Sequence, residues 1–115
     1  MSIKRGTKKH LFDVQQSIQS IVTYTQGLNK DVYLANEMVQ AAVERKFEII
    51  GEALNRLYRE DDATLAEIRD YQRIIGFRNI LAHGYDAIDQ SLVWDAIQNH
   101  LSPLAEDVER LMTFI

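Results

Sequence analysis

The 115-residue chain contains no cysteine, which removes disulfide staples and thiolate metal sites from consideration. It has one proline, Pro103, and five glycines, too few turn-formers for a protein built from many short strands. Long apolar runs are also missing. Stretches such as Ile74-Ile75 and Ile80-Leu81-Ala82 fall far short of the roughly 18 residues that span a bilayer, so no membrane segment is expected. Residues 1–10 are basic but no apolar run follows them, which argues against a secretory signal, and a cytoplasmic location is expected. There is no Gly-rich phosphate loop and no G-x-S-x-G elbow.

What remains is a globular composition, 46% hydrophobic and 26% charged, at a length suited to a single domain over 1–115. The net charge of −4 argues against one broad basic face for nucleic acid. The average hides an asymmetry. Residues 1–30 carry Lys4, Arg5, Lys8, Lys9 and Lys30 against Asp13 alone, a strip that suits RNA or an acidic partner as well as it suits an ordinary solvated helix start.

Apolar residues recur at helical spacing. Leu11, Val14, Ile18, Ile21 and Val22 predict a helix over about 8–26, with Gly27 as its stop. Val39, Val43, Phe47, Ile50, Leu54 and Leu57 predict a long helix capped by Asn36. A short helical turn near 64–69 leads to a helix from Tyr71 to about Ala82. A final helix starts near Asp89 or Ser91 and runs through Val93, Ile97, Leu101, Leu104, Val108, Leu111 and Ile115, with Pro103 kinking or restarting it. The expected fold is all-α, an antiparallel four-helix-type bundle with an extra short helix and a kinked C-terminal helix. Tyr24, Tyr33, Met38 and Trp94 fall off the core stripes and are candidates for a self-association face.

Three histidines are present, and no two have the spacing with carboxylates that spells a zinc site, so no metal and no cofactor are expected. His10 reads as solvated and His100 as a packed or interface histidine. His83 differs because Arg78, Asn79 and Tyr85 lie around it in the sequence. Asn79 and His83 share a helix face, while Arg78 sits about 140° around from His83. RNA cleavage needs a base for the 2′-hydroxyl proton, an acid for the leaving oxygen and cationic donors for the phosphorane. Histidine and arginine supply these, more completely if two protomers face each other. The same residues also read as an ordinary helix end, with His83 favourable near the negative pole and Gly84 turning the chain.

The string Arg78-Asn79-Ile80-Leu81-Ala82-His83-Gly84-Tyr85 resembles the R-x-x-x-x-H-x-Y motif of the HepT-like ribonuclease toxins of the HEPN class, and Ile50-Gly51-Glu52-Ala53 resembles their I-G-E-A segment. Helix order agrees, so the resemblance covers nearly the whole chain. It implies a metal-independent endoribonuclease toxin, a homodimer cutting RNA in a cleft built from both motifs. It implies that Arg78 stabilises phosphate, His83 is the acid or base, and Asn79 orients the site. It further implies a toxin–antitoxin pair, in which a minimal nucleotidyltransferase antitoxin transfers AMP to Tyr85. The alternative is a non-catalytic helical binding module that docks such a nucleotidyltransferase.

Overall fold

A computed structural model describes residues 4–83 and 88–113, the side chains of Ala82 and His83 excepted. Every regular element among the described residues is a helix: α1 (Arg5–Thr25), α2 (Lys30–Leu34), α3 (Glu37–Glu60), α4 (Asp62–Leu65), α5 (Tyr71–His83), α6 (Gln90–Asn99) and α7 (Leu101–Met112). The all-α expectation holds.

In α1 the stripe Leu11, Val14, Ile18 and Ile21 is buried, but Val22 is 49% exposed because one further helical step carries it off the core face. Gly27 then adopts φ 79°, a left-handed conformation that glycine takes without steric cost. The next segment forms α2, a five-residue helix absent from the sequence-based expectation. Its signal is Asn29, whose side chain accepts the Val32 N–H at 2.9 Å. Asn36 caps α3 as expected, accepting the Val39 N–H at 3.1 Å.

The start of α1 meets the end of α3, so these two helices run antiparallel. Lys4 Nζ donates to the Glu60 carbonyl at 3.2 Å, and Thr7 Oγ1 donates to Asp61 Oδ2 at 2.6 Å. His10 lies here too, only 7% exposed, with Nε2 at 3.2 and 3.3 Å from the two Glu60 carboxylate oxygens. It is therefore a buried, partnered histidine and not the solvated one expected from the basic stretch around it. Asp61 also caps α4, accepting the Thr64 N–H and hydroxyl. The Thr7 hydrogen bond is the main cause that holds its carboxyl below the usual carboxylate range.

The kink expected at Pro103 takes the form of a break at His100, leaving α6 and α7 as separate helices. Helix α7 restarts at Leu101, so Ser102 does not cap it. Pro103 then falls within the first turn, where a missing N–H removes no helical hydrogen bond. Asp89 caps α6, its Oδ1 accepting the Ser91 N–H at 2.9 Å.

Two residues set aside for self-association belong to the interior. Tyr33 is fully buried, its ring 5.2 Å from that of partly buried Trp94. Its hydroxyl donates to Gln90 Oε1 at 2.8 Å, and Gln90 Nε2 donates to Glu44 at 2.9 Å, so α2, α6 and α3 are tied together. Burial, and then the nearby Glu44 charge, push the Tyr33 phenol far above its ordinary value. Met38 remains 83% exposed and Tyr24 40%. None of the described helices is long and apolar enough to cross a membrane.

Candidate active site on the motif helix

Helix α5 carries the motif, and its apolar side chains do not form a single stripe. Ile74, Ile75 and Phe77 are partly buried, Leu81 is buried and Ile80 is 62% exposed. It follows an abrupt turn at Asp70, whose φ of 57° makes it the one non-glycine residue in the left-handed region among those described. The Asp70 carbonyl accepts from the Arg73 and Ile74 amides, which closes the first turn of α5.

Arg78 lies where α5 presses on α3. A Cβ built on Gly51 would overlap the Cβ and Cγ of Arg78 and come within 3.5 Å of its Cα. Gly51 is thus the small residue that lets the two helix backbones approach. Its position inside the I-G-E-A segment joins the two sequence segments singled out above into one contact. Ile50 and Ala53 flank it in the core.

That contact fixes the base of the Arg78 side chain. Its Nη1 donates to Asn79 Oδ1 at 3.3 Å, and its Nε is buried without a hydrogen-bond partner among the described residues. No carboxylate among those residues forms an ion pair with the guanidinium. A guanidinium with no carboxylate partner keeps its charge available, and its planar fork suits phosphate oxygens. Asn79 is exposed beside it.

The structure therefore brings Arg78 and Asn79 together. It places the backbone of His83 on the same helix, four residues beyond Asn79, while the His83 side chain and all of Tyr85 lie outside the described residues. His100 is distant in role. It sits at the α6–α7 break, half-buried, with Nε2 3.7 Å from Asp95. Among the described residues no three His, Asp or Glu side chains converge as a metal ion would require. Sequence reasoning noticed the I-G-E-A segment without seeing what Gly51 does. The available signal was a glycine in the middle of a long helix, a position that costs about 1 kcal/mol relative to alanine and so calls for a packing reason.

Known proteins give the family. The profile of the family described as ribonuclease HepT-like matches residues 14–111, a span that contains both Gly51 and the motif helix. A protein named "Putative RNase" from Methanocaldococcus jannaschii is 31% identical over 109 residues, covering 92% of this chain and 96% of that protein. A "Probable ribonuclease HepT" from Thermococcus cleftensis is 28% identical over 109 residues, covering 95% and 98% respectively. A further "Putative RNase" from Caldanaerobacter subterraneus is 22% identical over 105 residues, covering 91% and 93%. No solved structure matches. With a match across most of its length and an arginine seated on the glycine of the I-G-E-A segment, the chain belongs to the ribonuclease HepT-like family.

Proposed function

We propose that this protein is a metal-independent endoribonuclease toxin that cuts RNA in a cleft shared by two copies of the chain. The observation that carries the reading is Arg78, locked at its base by Gly51 and with no carboxylate paired to its guanidinium among the described residues. In the reaction, one His83 takes the proton of an RNA 2′-hydroxyl. The freed oxygen attacks the adjacent phosphorus, the bond to the 5′-oxygen breaks, and a second His83, from the partner copy, protonates that oxygen. Arg78 stabilises the negative charge that gathers on the phosphorane, and Asn79 holds the guanidinium in place. Regulation follows from Tyr85. An AMP group placed on it by a nucleotidyltransferase antitoxin sets a phosphate beside Arg78 and blocks the substrate by charge and bulk.

One set of RNA cleavage assays tests this. His83→Ala and Arg78→Ala are expected each to lower cleavage by at least about a hundredfold, the lower range for loss of an acid–base group or an oxyanion donor, with the helical circular dichroism unchanged. EDTA is expected to leave the rate unaltered. Protein carrying AMP at Tyr85, located by peptide mass spectrometry, is expected to be inactive. Activity that survives both substitutions, or that needs a divalent ion, defeats the mechanism. Absence of any cleavage by the unmodified chain would leave the non-catalytic docking module as the better reading.

A further inference from the structure

Beside the motif, the first half of α5 forms one wall of a cavity of 410 Å³, facing the end of α6 and the start of α7. Its volume falls in the range of small-ligand sites. Its apolar walls include Ile74, Leu104, Phe77 and Phe47, the two phenyl rings edge-on with centroids 5.2 Å apart. Its polar lining comes from two sides, Arg69, Asp70 and Arg73 on one and Asp95, Asn99 and His100 on the other. Asp95 and Asn99 are one helical turn apart, joined by an Asn99 Nδ2 bond to Asp95 Oδ1 at 2.6 Å, and His100 follows.

We propose that this cavity binds a guanine base of the RNA strand, a specificity subsite that rests on the RNA-cleaving reading above. The argument is complementarity. Single-stranded RNA is read by splaying out a base, stacking it on aromatic or apolar side chains and pairing its edge. The Watson–Crick edge of guanine offers two adjacent donors, N1–H and the N2 amino group, next to the O6 acceptor. The Asp95 carboxylate has the acceptors for the donor pair, while the remaining Asn99 amide hydrogen and the His100 imidazole, both on the same rim, supply donors for O6. Adenine and uracil do not present that donor pair. The motif lies close by on the same helix. Phe77 directly precedes Arg78, and Arg73, which also lines the cavity and has no ion pair among the described residues, stands five residues before it, about 7.5 Å along the helix axis. Arg73 can therefore meet a backbone phosphate next to the bound base, whereas Arg78, about 140° farther around α5 and packed on Gly51, does not line the cavity.

Nitrogen-15 NMR titrations of the full chain with GMP, IMP, AMP, CMP and UMP test the subsite without relying on cleavage. GMP is expected to shift the amides of residues 73–77 and 95–100, and to bind about tenfold more tightly than AMP or UMP, the size of one good base-edge pair. IMP, which lacks the N2 amino group, is expected to fall between them. Asp95→Ala and Asn99→Ala change exposed side chains, so the fold should persist, and each is expected to remove the preference for GMP. Equal response to all five nucleotides, or a GMP preference that survives both substitutions, overturns the proposal. So does a cavity whose signals respond to protein concentration alone, which would assign it to contact with a second copy. Cut-site mapping separates the two readings. Cleavage with no guanine preference near the cut defeats the subsite and leaves the ribonuclease intact. GMP binding by a chain that cuts no RNA defeats the ribonuclease and keeps the guanine site.

Discussion

Two glycines in the helices should respond to the same substitution with opposite signs. Gly51→Ala gains helix propensity, about 1 kcal/mol, but its methyl collides with the Cβ of Arg78, an atom close to the backbone that has no room to swing away. Overpacking of this kind costs about 1–3 kcal/mol, so a lower urea midpoint is expected, together with reduced RNA cleavage as Arg78 is pushed from α3. Gly76→Ala meets nothing within 4 Å and should raise the midpoint by an amount near the propensity gain alone. A midpoint for Gly51→Ala at or above that of Gly76→Ala would refute the close approach. At this scale the sequence was read unevenly. Arg78, Asn79 and His83 stood out because their chemistry is local to one helix. The surroundings of His10 and Tyr33 were misjudged because they depend on Glu60 and Gln90, partners 50 and 57 residues away that no local pattern reveals.

Among the elements, the turn between α4 and α5 is tied to α7 by one carboxylate. Asp107, 4% exposed, accepts from the Arg69 amide at 2.9 Å and from Arg69 Nε at 3.1 and 3.2 Å. Burial would raise its pKa, but the Arg69 hydrogen bonds, together with the charges of Arg69 and Arg110, bring it below the usual carboxylate range. A carboxyl depressed in the folded state adds stability above its unfolded pKa of about 3.9, and that stability is lost as pH falls through the lower folded value. Asp107→Asn is therefore expected to cost about 1–3 kcal/mol at pH 7, less than a fully buried pair because the far end of Arg69 is exposed and can rehydrate. The urea midpoints of the two proteins should converge as the pH drops below about 4, and a constant gap would remove Asp107 from the acid response. Helix existence was legible wherever a stripe ran for several turns, as in α1 and α3. Helix α2 was not, because five residues are too few for a period, and because the apolar rhythm continues from Val93 to Leu111, Pro103 alone marked the break, which falls three residues before it at His100.

For the molecule as a whole, the exposed Ile80 is the apolar residue best placed to meet a second copy, since it sits within the motif between Asn79 and Leu81. Light scattering is expected to report a dimer, and Ile80→Glu is expected to return monomers with little RNA cleavage. A dimer that persists in that variant places the contact elsewhere. The general character of the bundle was readable from composition and spacing, whereas the cavity beside α5 was not, because it is formed by residues of helices that meet only once the chain has folded. The lock between Thr7 and Asp61 carries a last consequence, for the order of events during synthesis. The two residues are 54 positions apart, so at about 5–20 residues per second the first helix waits roughly 3–11 s after its own start is made before the carboxylate it needs exists. During that interval Leu11, Val14, Ile18 and Ile21 have no complete α3 to cover them, so the stripe that will form the core is open to wrong partners until residue 61 has been added.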